Sequence, residues 1–258
     1  NGTSNNLSYT IGLSRNNLYN DPIFPTGGAS FTASAKFSLP YSLFNGVDYA
    51  SLSDERDELE LTDPDDLVRI AEIDQIRFKW LEFYKIKFSG EWYTKLVGDL
   101  VLRPKMEFGF LGAYNQDRGV IPFERFFLGG DGLGNQSLDG RESIQLRGYP
   151  NQSLSSIDGG TMYNKFSLEL RYPITLKSSA KIYALGFLEA GASFGEFRDY
   201  NPFGLRRTAG AGIRVFLPMF GLLGFDYGFG LDKVVDGDRN PGFGQLGKFS
   251  IVLGFEPD

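Results

Sequence analysis

The run A-S-F-T-A-S-A-K-F-S-L at residues 29–39 places an apolar residue at every odd position and a small polar or charged one at every even position. Successive side chains of an extended strand point to opposite faces, so this period of two describes a strand with one apolar and one polar face. Its eleven residues match the roughly 9–11 that a tilted strand needs to cross a bilayer. They exceed the roughly 5–6 usual for soluble strands. The expected environment is lipid on one face and a polar lumen on the other.

The same template recurs along the chain. Leu7, Tyr9, Ile11 and Leu13 alternate with small polar residues; Tyr84, Ile86 and Phe88 alternate with Lys85, Lys87 and Ser89; Phe166, Leu168, Leu170 and Tyr172 alternate with Lys165, Ser167, Glu169 and Arg171. With a rougher run at residues 100–114, interrupted by Pro104, further runs at 182–192, 209–217 and 223–231, and a last one carrying Phe249, Ile251, Leu253 and Phe255, nine strands are expected. Their connections alternate in length. Residues 20–28, 96–98, 173–180 and 218–221 are short, whereas 40–74, 115–160, 195–204 and 233–244 are longer and polar. This asymmetry is that of an up-and-down antiparallel barrel of the outer-membrane type, and it puts the C-terminus on the periplasmic side. A soluble β-sandwich also alternates, but without strands of this length or loops so unevenly distributed. Nine is an odd number and an open sheet leaves unpaired edges in lipid, so the chain reads as part of a larger barrel.

Composition agrees with this reading. The 258 residues include 33 Gly, 24 Phe and 13 Tyr, yet the mean hydropathy is −0.21, as expected when lipid-facing and lumen-facing residues alternate. The absence of cysteine excludes disulfides and thiolate metal sites, and the absence of histidine removes the commonest general base and metal ligand. No cofactor, no metal and no enzymatic chemistry is expected. The net charge of −6 concentrates at residues 54–66, which hold eight acidic residues and one Arg; this stretch reads as a solvated loop insertion. No basic stripe points to nucleic acid. Asn1 opens no signal peptide, so an exported form is expected to have lost one.

The long loop at 115–160 contains P-F-E-R-F-F-L-G-G-D-G-L at residues 122–133 and I-Q-L-R-G-Y at residues 144–149. These residues resemble the sixth extracellular loop of the BamA family of outer-membrane barrel assembly factors, in which an aromatic-Gly-Gly element precedes a tip of the form apolar-Arg-Gly-aromatic. Leu146, Arg147, Gly148 and Tyr149 match that tip. S-R-N-N-L at residues 14–18 with F-P-T-G-G at residues 24–28 resembles the strand-turn-strand upstream of it. The similarity runs through nearly the whole chain in the order of the C-terminal half of the family's barrel. It implies a barrel of about sixteen strands in all.

Elementary chemistry supports a role for the tip. A guanidinium folded into a lumen needs carboxylate partners, and Gly148 allows the backbone to turn there. Glu169 lies between Leu168 and Leu170, and Glu189 between Leu188 and Ala190, so both are expected on the lumenal face of adjacent strands. The resemblance implies that the loop arginine meets acidic residues at these positions. It also implies that the last strand, with Phe249, Ile251, Leu253 and Phe255, forms a gate where an incoming strand pairs by β-augmentation. Glu256, Pro257 and Asp258 after the final aromatic, and Ser250 in place of a frequent Gly, depart from the family's C-terminal signal.

Two other motifs are accidental. G-A-S-F-G at residues 191–195 has the spacing of a hydrolase nucleophile elbow but lacks the strand-to-helix turn and any histidine. D-G-D-R-N at residues 236–240 begins like a calcium loop, but Pro241 replaces the required glycine. The expected function is assembly and insertion of outer-membrane β-barrels. Its partners would be unfolded barrel substrates, outer-membrane lipid and accessory assembly subunits. The alternatives are a polypeptide-secreting transporter of the same superfamily and a passive porin.

Overall fold

Alternation at period two shapes the molecule. The computed structural model describes residues 3–19, 21–131, 141–233 and 243–253. In chain order the elements are β1 (Ser8–Asn16), β2 (Gly27–Ser38), α1 (Tyr49–Glu58), α2 (Pro64–Phe78), β3 (Tyr84–Lys95), β4 (Val101–Gly112), β5 (Phe126–Leu128), β6 (Glu142–Ile144), β7 (Met162–Lys177), β8 (Ala180–Phe194), β9 (Arg206–Leu217), β10 (Gly221–Gly230), α3 (Phe243–Leu246) and β11 (Gly247–Leu253). All but β5 and β6 form one nine-stranded antiparallel sheet in the order β1-β2-β3-β4-β7-β8-β9-β10-β11. Each strand pairs with its sequence neighbour once the small parallel β5–β6 pair inside the long loop is set aside. Among the described residues, β1 and β11 each have a neighbour on one side only.

The sheet is inverted relative to a soluble protein. On β7, Phe166 and Leu170 are 39% and 40% exposed, whereas Glu169 and Arg171 between and beside them are 2% exposed. An apolar face left bare and a charged face buried is the distribution that lipid outside and a packed lumen inside require. No described helix is long and apolar enough to cross a membrane. The strands do the spanning, and the chain is an outer-membrane-type transmembrane β-barrel segment.

Two apolar clusters fill the lumen at different heights. Phe24, from the β1–β2 turn, packs with Tyr93, Val101, Tyr183, Leu185 and Phe187 near the short-turn end, and its ring meets Tyr183 edge-on at 5.2 Å. The turn is also pinned by an ion pair of 2.6 Å between Asp21 and Lys181. Leu111, Ile121, Phe126, Leu128, Ile144, Leu146, Tyr149 and Tyr163 form the second cluster, most of which comes from the long loop. That loop therefore lies inside the barrel wall.

Two expectations need correction. Residues 173–180 are not a loop: β7 continues through a bulge between Pro173 and Thr175 to Lys177, and β8 resumes at Ala180. The acidic run at 54–66 is not an irregular insertion either. It spans the end of α1 and the start of α2. Asp48 and Asp63 cap the two helices, Pro64 occupies the first turn of α2, and Asp65 and Asp66 sit at its positive end.

Arginine ties this helical insertion to the long loop. The Arg118 guanidinium donates to Glu82 at 2.8 Å and to the carbonyls of Arg77 and Trp80, while Arg77 donates to the Arg118 carbonyl. Arg118 and Glu82 are both buried, and removing one partner of a buried pair leaves an uncompensated charge. Arg118→Ala is therefore expected to release α1 and α2, speeding protease cleavage between them at least about tenfold, the effect of a local loss of ~1.4 kcal/mol. An unchanged cleavage rate would show that the pair does not hold the insertion.

Candidate functional site

The second connection of unusual length, between β4 and β7, carries its tip residues to the lumenal faces of β7, β8 and β10. Leu146 is fully buried and bridges to Gly130, whose N–H donates to the Leu146 carbonyl at 3.2 Å. Gly130 adopts φ 88°, and a Cβ there would collide with the Asn151 side chain. The aromatic-Gly-Gly element thus forms the seat on which the tip turns.

Arg147 sits at the centre. One terminal nitrogen, Nη2, donates to Oε1 of Glu169 and Oε1 of Glu189, both at 2.7 Å. The Arg147 backbone N–H donates to Oε2 of Glu189 at 3.1 Å. Nη1 lies 3.5 Å from Oδ2 of Asp226, and the guanidinium carbon stands 3.7 Å from the Phe187 ring centroid. All three carboxylates are buried. Taking such groups out of water costs several kcal/mol per ion, which is offset only where every lone pair finds a donor.

Here they do. Glu169 also accepts from Arg103 at 3.1 Å and from Arg171 at 2.6 Å. Asp226 is held by a two-pronged contact from Arg214 at 2.7 and 2.9 Å. Lys165 lies 3.3 Å from Glu107 and 3.9 Å from Glu189. Opposite charges alternate across the inner wall, and the loop arginine completes that array from above.

Gly148 and Tyr149 finish the docking. Gly148 has φ 87°, and a Cβ on it would stand 2.8 Å from Thr208 Oγ1 and 2.9 Å from the Gly230 nitrogen. Gly228 faces it from β10, where a Cβ would meet the Gly148 nitrogen at 2.8 Å. Backbone lies against backbone, and neither position has room for a side chain. The Tyr149 hydroxyl donates to the Arg207 carbonyl at 2.9 Å and accepts from the Asp232 N–H at 3.1 Å.

The other end of the loop is held by charges of reversed sign. Glu124 meets Lys36 on β2 and Lys85 on β3 at 2.5 and 3.2 Å, and Glu142 meets Lys85 and Lys87 at 2.7 and 2.8 Å. Burial alone would push the Glu124 carboxyl up. The hydrogen bond from Lys36 and the charges of Lys85 and Lys36 outweigh it and hold the group below the usual carboxylate range. Its contribution to stability is complete above the ordinary carboxyl pKa and is lost as pH falls through the lowered folded value.

Of the residues singled out from sequence, Leu146, Arg147, Gly148, Tyr149, Glu169 and Glu189 converge in this one place. Phe249, Ile251 and Leu253 lie elsewhere, on the outer face of β11 and exposed, with Ser250 and Val252 turned inward. Phe255 lies outside the described residues, as do residues 236–240. Asp226, Arg103, Arg171 and Arg214 were missed. Asp226 between Phe225 and Tyr227 carries the same alternation that marks Glu169, so the signal was present.

A family model described as the Omp85 superfamily domain matches residues 1–255. The chain belongs to the Omp85 superfamily. Among solved structures, it is similar to BamA from Haemophilus ducreyi lacking POTRA domains 1–3, with a TM-score of 0.59 and 19% sequence identity. The alignment covers 95% of this chain and 41% of that one, so the present chain spans less than half of the BamA chain it matches. No curated protein sequence matches it. The fold is thus that of a BamA-like C-terminal barrel in an outer membrane, and the docked Arg-Gly-Tyr tip is the site's distinguishing feature within this Omp85 chain.

Proposed function

We propose that this Omp85 chain is the C-terminal part of a larger barrel that assembles and inserts other β-barrel proteins into the outer membrane, working by strand exchange without covalent chemistry. The observation that carries this reading is the docked loop tip, whose Arg147 meets Glu169, Glu189 and Asp226 on the lumenal wall, in a chain that belongs to the Omp85 superfamily. The long connections face outward from the cell and the C-terminus faces the periplasm. An unpaired ladder edge in hydrocarbon costs several kcal/mol per unsatisfied group, whereas in water the same bonds net only about 0.5–1.5 kcal/mol each. In this scheme that difference drives an incoming strand to pair with the last strand where the gate opens at the membrane. Accessory assembly subunits and lipid are the further partners of this scheme. The relative's name supports it, since the H. ducreyi protein is a BamA.

The test places a photo-crosslinking residue at successive positions from Phe249 to Leu253 in the full-length protein in cells. Adducts with several newly made barrel proteins, alternating with the ladder period, are expected. Capture of the protein's own first strand alone, with a secreted polypeptide trapped in the lumen, would instead identify a transporter. Ion conductance with neither adduct would identify a porin.

A further inference from the structure

Glu124 is one of only two non-glycine residues with positive φ among those described, at 63°. This left-handed region is unfavourable for a residue with a Cβ, and glycine would occupy it freely. Such strain persists where the surroundings over-determine the conformation, and it is a reason to ask what the side chain does. Here the carboxylate reaches Lys36 and Lys85, and the Glu124 carbonyl itself accepts from Lys85 Nζ at 2.8 Å. Eighteen positions further on, Glu142 on β6 takes Lys85 and Lys87. Both loop carboxylates therefore bind the lysine row of β2 and β3, while Arg147 binds the carboxylate wall of β7, β8 and β10. β5 and β6 link the two ends, pairing Phe126 with Glu142 and Leu128 with Ile144.

We propose that Glu124 and Glu142 are the positioning residues of a second clamp, which fixes the base of the long loop to the β2–β3 wall and thereby sets where the Arg147 tip lands. The loop is then a strut fastened to both walls by charges of opposite sign. One clamp alone would leave the strut free to swing about its other end. The choice of Glu over Gly at position 124 follows, because glycine would relieve the backbone but take the carboxylate from Lys36 and leave Lys85 with Glu142 alone. This inference concerns loop docking and holds whether the barrel inserts or secretes its substrate.

The experiment uses the full-length protein in outer-membrane vesicles, in a cysteine-free background carrying Ser143→Cys, a buried position on β6. The readout is the rate of maleimide labelling. Glu124→Gly combined with Glu142→Gln should raise that rate at least about tenfold. Inverting the whole clamp (Lys36→Glu, Lys85→Glu and Lys87→Glu with Glu124→Lys and Glu142→Lys) should return it to within about threefold of the parent, whereas either half of the inversion alone should not. A packing role without charge pairing predicts no such rescue. Should the double variant lose its folded, heat-modifiable migration, Glu142→Gln alone is read on the same scale, with at least a threefold rise expected. Labelling that stays within twofold of the parent, or an inversion no better than its halves, overturns the proposal. Barrel assembly in cells is scored separately, so failure of the clamp and failure of the assembly role give different results.

Discussion

Arg147→Ala is expected to destabilise the folded barrel by about 3–5 kcal/mol, the range for breaking a buried ion pair from one side. The loss does not fall equally on the three acids. Glu169 keeps Arg103 and Arg171, and Asp226 keeps Arg214. Glu189 keeps only Lys165 at 3.9 Å and the Ser167 hydroxyl at 3.4 Å. It also loses the Arg147 N–H if the tip withdraws. The stranded charge is therefore Glu189, and adding Glu189→Gln to Arg147→Ala should recover a large part of the loss. Arg147→Lys should fall between wild type and Ala, because an ammonium cannot present the guanidinium fork to several carboxylates at once. Denaturant unfolding of the purified barrel, followed by loss of heat-modifiable migration, measures all three. Equal midpoints for wild type and Arg147→Ala would show that the lumenal acids do not depend on the loop.

Gly148→Ala should cost about 2–6 kcal/mol, although it removes no interaction. Two terms contribute: about 1–3 kcal/mol for a non-glycine residue at φ 87°, and about 1–3 kcal/mol for overpacking. The second term is large because the Cβ would press on the Gly230 nitrogen and the Gly228 carbonyl carbon at 2.9 and 3.0 Å, which are backbone and cannot swing aside. Gly46 supplies the control. Its φ is 68° but a Cβ there would meet nothing within 4 Å, so Gly46→Ala should show the conformational cost alone. Combining Gly148→Ala with Arg147→Ala should cost clearly less than the sum of the two, since both act by releasing the same tip. Full additivity in the same unfolding assay would mean that the tip stays docked in one of them.

Strand identity was legible because it is a local property. Adjacent residues report which face they occupy, so Phe166, Ser167, Leu168 and Glu169 read correctly without reference to the rest of the chain. Glu169 and Glu189 could be placed in the lumen on that basis, and Asp226 could have been. The insertion at 40–83 was harder. α1 has no apolar stripe, with Tyr49 its one buried residue. In α2, Ile70, Ile73 and Arg77 are buried at helical spacing behind the Asp63 cap and Pro64, a signal obscured by the surrounding acids.

The sequence by itself determined the spanning strands, their inward and outward faces, and the distribution of long and short connections, because period-two alternation and turn composition are written in neighbouring residues. Only the tertiary structure decided which charges meet. Arg147 reaches Asp226 across 79 positions, and Lys36 reaches Glu124 across 88. Nothing local in either residue specifies the other. Those pairings follow from strand register and from how far the loop penetrates the lumen, and both are set by the cooperative pairing of the ladder and by the burial of the loop's apolar residues against it.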